Sequence, residues 1–297
     1  MNILNHSEMG HKSTTFAENN MNLSCNGRTL DLSMPIVMGI LNLTPDSFFD
    51  GGKHQQTDNI LESCANMLNE GARIIDIGGV STRPGAPEVS EGEEINRVVP
   101  ILQQLVKNFP ETWFSIDTFR ARVARICIEN GASIINDISG GELDGEMFQI
   151  IAQHQVPYVL MHMHGTPQTM QQHPMQGAVV TEVADFFKRK VTELTMLGAH
   201  QIILDPGFGF GKSLEANYQL LKNLGTLRIN QLPLLAGVSR KSMINKVLNT
   251  RPADALNGTS VLNTFALQNG ANLLRVHDVK EAVECIKLVA MYQNVSE

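Results

Sequence analysis

Apolar residues fall along this chain in short unbroken runs, each followed by an amphipathic stretch, and the alternation occurs eight times. The runs are Ile36–Leu41, Arg73–Ile77, Trp113–Ile116, Ser133–Ile135, Pro157–Met161, Ile202–Leu204, Pro233–Ala236 and Asn272–Val276. Between them a period near 3.6 predicts helices over about Asp58–Glu70 (closed by Gly71), Ser90–Asn108, a segment ending before Gly131, and Leu143–His154. Further helices are predicted over Val183–Leu197, Leu214–Leu221, Ser242–Leu248, Asp254–Gln268 and from Lys280 onward. Ser90 with Glu93 has the spacing of a capping box. Runs that are continuous rather than alternating are buried on both faces, as parallel strands are. Eight such strands, each followed by a helix, predict an α/β fold, the parallel (β/α)8 TIM barrel. A doubly wound open sheet usually has fewer strands and a glycine-rich first turn, which this chain lacks. Ahead of the first run, Asn26-Gly27 between Leu23 and Leu30 predicts a two-residue hairpin, placed to plug the bottom of the barrel. Residues 1–20 are polar and read as a disordered tail, leaving 21–297 as a single barrel domain.

Length and charge narrow the partners. A chain of 297 residues suits one such barrel. With a net charge of −7 and no long Lys/Arg run, neither nucleic acid nor an anionic membrane is an expected partner, and any anionic ligand must be held by a local cluster of cations. Cys25, Cys64, Cys127 and Cys285 lie far apart, which argues against a disulfide scaffold or structural zinc and for a reducing cytoplasm. The first residues lack the apolar core of a signal peptide, and no apolar run reaches the roughly 20 residues of a membrane span.

Barrels of this kind build their active sites at the carboxyl ends of the strands. Those ends carry Asn42, Asp76, Asp117, Asn136, His162, Asp205, Ser239 to Lys241, Arg275 and His277. Any one of them alone reads as a turn cap; one at nearly every strand predicts a functional funnel. Asp117, Asn136 and Asp205 pair carboxylates with an amide, which suits the edge of an amino-oxo heterocycle. Arg275, His277 and Arg83, with Asn42 across the seam between last and first strands, describe a phosphate or pyrophosphate site. Lys241 is placed to bridge the two sets. His162 and His164 raise a transition-metal reading, but a loosely held Mg²⁺ between Asn42 and a phosphate fits hard-cation preferences better. The loop after Asp205 is no nucleotide cradle. A phosphate loop ending at Gly211-Lys212-Ser213 needs glycine where Pro206 stands, so Lys212 and Ser213 read as bystanders.

Several long motifs then occur in order: Met38–Gly52, Asp76–Ala86, Ser115–Thr118, Asn136–Ile138, Leu160–Pro167, Asp205–Lys212, Ser239–Ser242 and Arg275–Asp278. In these the chain, from about Asn22 to its end, closely resembles the bacterial dihydropteroate synthase family. The resemblance implies condensation of 6-hydroxymethyl-7,8-dihydropterin pyrophosphate with p-aminobenzoate to give 7,8-dihydropteroate and pyrophosphate. It also implies Mg²⁺, sulfonamide drugs as inhibitors and a homodimer. By analogy Asp117, Asn136, Asp205 and Lys241 hold the pterin, with Met161 and Phe210 lining its pocket. Asn42, Arg83, Arg275 and His277 hold the pyrophosphate, with Asn42 also beside the metal; Phe48, Thr82, Pro84 and Ser242 surround p-aminobenzoate. Asp117, Lys241 and Arg275 are the expected catalytic residues. The chain departs from the family at Val80, commonly glutamate, and at Phe119-Arg120-Ala121, commonly Ser-Lys-Pro, which leaves the third loop's shape open. The nearest alternative is a methyltetrahydrofolate-binding corrinoid methyltransferase domain, which would not need Thr82-Arg83-Pro84 or Ser239-Arg240-Lys241-Ser242. A non-catalytic paralogue would have lost at least one of Asn42, Arg83, Lys241 or Arg275. Val283, Ile286 and Val289 on the last helix suit barrel packing and a dimer interface equally.

Overall fold

Asn26 and Gly27 adopt φ values of 51° and 73°, the left-handed pair that a type I′ turn demands. They join β1 (Asn22–Cys25) to β2 (Arg28–Asp31) in the expected antiparallel hairpin. The computed structural model describes residues 21–43, 53–80 and 89–295. The predicted tail over 1–20, and Phe48, Thr82, Arg83 and Pro84, lie outside the described residues.

Eight parallel strands follow: β3 (Ile36–Asn42), β4 (Ile74–Gly78), β5 (Trp113–Asp117), β6 (Ile134–Asp137), β7 (Tyr158–Met161), β8 (Ile202–Asp205), β9 (Leu235–Ala236) and β10 (Leu273–Val276). They pair in the order β8-β7-β6-β5-β4-β3-β10-β9. A single bridge between Leu204 and Leu234 brings β9 back to β8, closing the sheet into a barrel. The apolar runs thus fall on strands, although the seventh contributes only Leu235 and Ala236 to the ladder.

The helices are α1 (Lys53–Glu70), α2 (Glu91–Asn108), α3 (Ala121–Glu129), α4 (Met147–His154), α5 (Val179–Met196), α6 (Leu214–Lys222), α7 (Ser242–Leu248), α8 (Leu256–Gln268) and α9 (Val279–Asn294). Most boundaries match the periodicity, and the exceptions have local causes. Ser90 Oγ accepts from Glu93 N as a capping box requires, but the Glu93 carboxylate pairs with Arg97 one turn on. The fourth helix starts at Met147 because Asp144 accepts from the backbone N–H of Ala121 and of Glu146, folding the preceding residues into a turn. Val289 is buried, and Val283 and Ile286 pack against the same core, so all three serve the barrel.

The hairpin plugs the amino end of the barrel, as predicted. Arg28 donates to the carbonyls of Pro110 and Thr112 and to Ser133 Oγ, and its guanidinium lies 5.4 Å from the centre of the Trp113 ring. Ser24 N reaches the Gln201 side chain, and Leu32 O accepts from Asn272. These partners, four acceptors and the donor Asn272, stand just before the starts of β5, β6, β8 and β10. The hairpin leaves the other mouth uncovered.

Candidate active site

Strand register decides which polar groups share the carboxyl-end mouth. Asn42 pairs with Gly78, Gly78 with Asp117, and Asp117 with Asn136, so these four form one layer across β3, β4, β5 and β6. Side chains alternate along a strand, so the next layer down holds Ile40, Asp76, Ser115 and Ile134. Gly78 contributes nothing to the upper layer. A Cβ there would lie 3.4 Å from Asn42 Oδ1 and 3.8 Å from Asp117 Cβ, so the missing side chain lets Asn42 and Asp117 face each other.

Asp76 is therefore not a strand-end residue, as the sequence suggested, but lies mid-strand and fully buried. A lone carboxylate there would be costly, and two donors compensate. Arg275 Nε donates to Asp76 Oδ2 at 2.7 Å, and Asn136 Nδ2 donates to the same oxygen at 3.0 Å. Arg275 Nη2 lies 2.7 Å from that oxygen and also donates to Asp117 Oδ2 at 2.8 Å. The predicted heterocycle set and anion set are thus joined through Arg275. Burial disfavours the Arg275 charge, but Asp76 and Asp117 outweigh it and hold its pKa above the usual value. Burial pushes Asp117 up to about 7, against the pull of Arg275 and with help from Asp76.

Asp205 ends β8 and commits Oδ1 to the backbone N–H of Gly207 at 2.7 Å. Burial raises its pKa, with Lys241 acting in the opposite direction. Lys241 caps the start of α7, donates to Phe208 O, and lies 4.8 Å from the centre of the Phe210 ring. Burial lowers the Lys241 pKa to about 8, while Asp205 favours its charge. His277, past the end of β10, has Nδ1 3.0 Å from Ser239 Oγ, which joins the loops after β9 and β10. Ser242 is exposed at the first position of α7. Beside these groups stands a small apolar cluster of Ile138, Met161, Met163 and Met170, with Phe119 and Phe210 packed on it. Met161 and Phe210 were expected there; Ile138 and Phe119 were not.

The third loop takes its shape from the residues that depart from the family pattern. Phe119 joins the apolar cluster, while Arg120 pairs with buried Glu94, donates to Val89 O at 2.6 Å and lies across the Phe119 ring.

The glycine loop after Asp205 lies directly on the end of β7. A Cβ on Gly207 or on Gly211 would fall 2.1 Å from the carbonyl oxygen of His162 or of His164, and both glycines have positive φ, so no other residue fits. Lys212 does not touch the polar layer, yet it is no bystander. Its buried ammonium donates to the carbonyls of His162, Gly207 and Phe210 at 2.9–3.0 Å, pinning the loop to β7. Burial lowers its pKa to about 7, and Asp205 opposes that shift. Ser213 caps α6 by accepting from Ala216 N at 3.1 Å. His162 is buried with its ring edge-on to Phe186 at 5.0 Å, and His164 is exposed, so the pair does not converge on a metal. Among the described residues no three His, Cys, Asp or Glu side chains cluster as metal ligands.

A chain with this barrel and this polar layer belongs to the pterin-binding enzyme family, whose model matches residues 38–277. Within that family it stands among the dihydropteroate synthases, transferases of folate synthesis. It is 45% identical over 271 residues to the dihydropteroate synthase of Escherichia coli strain K12, covering 91% of this chain and 95% of that one. The solved structure of Yersinia pestis dihydropteroate synthase with a sulfonamide drug matches with a TM-score of 0.86 and 45% identity, over 93% of this chain and 100% of that chain. Xanthomonas albilineans dihydropteroate synthase with 4-aminobenzoic acid matches with a TM-score of 0.87 and 39% identity, over 94% of this chain and 100% of that chain.

Proposed function

We propose that this chain condenses 6-hydroxymethyl-7,8-dihydropterin pyrophosphate with p-aminobenzoate, giving 7,8-dihydropteroate and pyrophosphate. The observation that carries the reading is the meeting of Asp117, Asn136, Asp205, Lys241 and Arg275 around one apolar cluster at the barrel mouth. The likeness to enzymes of this name, one of them bound to 4-aminobenzoic acid, supports both the reaction and the second substrate. A corrinoid methyltransferase reading has no such support.

Asp117, Asn136, Asp205 and Lys241 hold the pterin edge, with its flat ring against Met161 and Phe210. Arg275, His277 and Arg83 hold the pyrophosphate, and Phe48, Thr82, Pro84 and Ser242 surround the aromatic amine. An aryl amine is a weak nucleophile, so the bond from carbon to the pyrophosphate oxygen breaks first and the amine then attacks the pterin-stabilised cation. Arg275 neutralises charge growing on the leaving pyrophosphate, while the Asp117 carboxylate offsets the positive charge spread over the pterin. Asn42 offers one amide oxygen to the mouth, a sparse donor set that suits Mg²⁺, which keeps several waters and binds mainly through substrate phosphates. When bound there, Mg²⁺ supplies further charge neutralisation at the pyrophosphate.

The chain is further proposed to be a cytoplasmic homodimer. Buried free cysteines suit a reducing compartment, and no helix among the described residues is long and apolar enough to cross a membrane. Exposed Val261 and Phe265 on α8, with Leu288, Met291 and Tyr292 on α9, form the apolar face that a second copy would cover. Pyrophosphate release that requires both the pterin pyrophosphate and p-aminobenzoate is the decisive assay; release unaffected by p-aminobenzoate would overturn the reading.

A further inference from the structure

Arg275 touches two carboxylates, and the geometry treats them differently. Asp76 is wholly buried in the lower layer, whereas the Asp117 side chain is 13% exposed at the mouth. Asp76 Oδ2 lies 2.7 Å from both Nε and Nη2 of Arg275, while Asp117 meets Nη2 alone at 2.8 Å. Asp76 also accepts from Asn136, and its second oxygen has no hydrogen-bond partner among the described residues. Buried beneath the layer that faces the mouth, Asp76 has no route to the substrate. Its charge is balanced only while Arg275 stays where it is. Asp117 sits in the facing layer, beside Asn42 and Asn136, where an entering polar ring can take the place of Arg275 as its partner.

We infer that Asp76 is the permanent counter-ion of Arg275 and a positioning residue for the reaction, while Asp117 is the exchangeable partner. Asp76 holds the guanidinium by its Nε edge, so the remaining N–H groups point at the pyrophosphate whether or not Asp117 is engaged. As the pterin enters, Asp117 leaves Arg275 for the ring, and the freed Nη2 donor becomes available to the leaving group. The same oxygen orients the Asn136 amide, so one buried carboxylate sets the geometry of the pterin edge and of the anion site together. The scheme requires the same atom types at both positions but assigns them opposite mobilities. It rests on the reading of Arg275 as a pyrophosphate anchor, and the test separates the two.

Binding of inorganic pyrophosphate to the full chain is measured by calorimetry at fixed Mg²⁺ for the wild type, Asp76→Asn, Asp117→Asn and Arg275→Ala. Asparagine at 76 keeps an acceptor for Asn136 but removes the charge that fixes Arg275. The inference expects Asp76→Asn to weaken pyrophosphate at least tenfold, and Asp117→Asn to change it less than threefold while raising KM for the pterin substrate. Equal losses in the two variants, or pyrophosphate binding in Asp76→Asn within threefold of wild type, overturns it. If Arg275→Ala leaves pyrophosphate binding unchanged, the anion-site reading itself fails; if Arg275→Ala weakens binding and Asp76→Asn does not, only the present inference fails. Should Asp76→Asn not accumulate as folded protein, the Arg275 Nε–H resonance in Asp117→Asn decides. Slow solvent exchange there supports a grip by Asp76, and loss of the resonance by fast exchange overturns it.

Discussion

Each end of the barrel is organised around one arginine. At the amino end Arg28 donates to two backbone carbonyls and a hydroxyl, and stacks on Trp113. All its acceptors are neutral, and together they tie the hairpin to strand starts distant in sequence. At the carboxyl end Arg275 is held by two carboxylates, one sealed beneath it and one at the mouth. Neutral acceptors make a tie whose contribution is stability alone. Charged acceptors near Asp205 and Lys241 make a cluster whose balance would shift if an anion or a polar ring entered. The difference is in the partners, since the side chain is the same.

The sharpest way to break this contrast is to remove the charged groups at the mouth. Arg275→Ala and Asp205→Ala should each cut turnover by about 10²- to 10³-fold or more, the scale for losing one preorganised electrostatic group. Steady-state pyrophosphate release checks this, and near-normal activity in either removes that residue from the site. The pH profile of kcat/KM comes next. Asp117, raised to about 7 by burial, must be ionised, so activity falls as pH drops below that value. Lys241, lowered to about 8 by burial, must be charged, so activity falls as pH rises above it. The expected bell is narrow, with limbs falling about tenfold per pH unit. Asp117→Asn should abolish the acid limb; an unchanged limb would assign it to another group. Lys212→Met leaves carbonyls of the glycine loop without donors, at about 1–3 kcal/mol for a buried unsatisfied group. A lower Tm together with a several-fold higher KM for the pterin substrate is expected, and wild-type values for both would show that the loop supports itself. Arg28→Ala should cost about 1–3 kcal/mol in urea unfolding and leave kcat and KM within twofold. A catalytic defect there would erase the distinction between the two ends.

Much of the fold was legible because its signals are local. Asn26-Gly27 forces the hairpin, and continuous apolar runs mark strands buried on both faces. The polar strand ends pointed to one mouth of the barrel, and Asp117, Asn136, Asp205, Lys241 and Arg275 do meet there. What stayed hidden was pairing across distance. Asp76 looked like one more strand-end acid because its partners lie 60 and 199 residues away, and only barrel register reveals which layer it occupies. Lys212 looked idle because its acceptors are backbone carbonyls, which every residue carries and no motif encodes. The seventh run is regular strand only at Leu235 and Ala236 because Pro233 has no N–H to give a ladder, although its carbonyl and that of Leu234 still accept from Leu204 and from Asn272 and Leu273. Ile138 and Phe119 carry no mark that separates membership of the small apolar cluster from a place in the main core.

The hairpin that plugs the amino end also sets an order of events during synthesis. Its anchor points lie 82 to 105 residues ahead for Arg28, 177 for Ser24 and 240 for Leu32. Synthesis therefore delivers this segment well before its farthest partner, Asn272, which follows Leu32 by 240 residues. Contacts of such span are slow to form. Until Asn272 has emerged, the hairpin cannot make its full set of ties to the barrel floor.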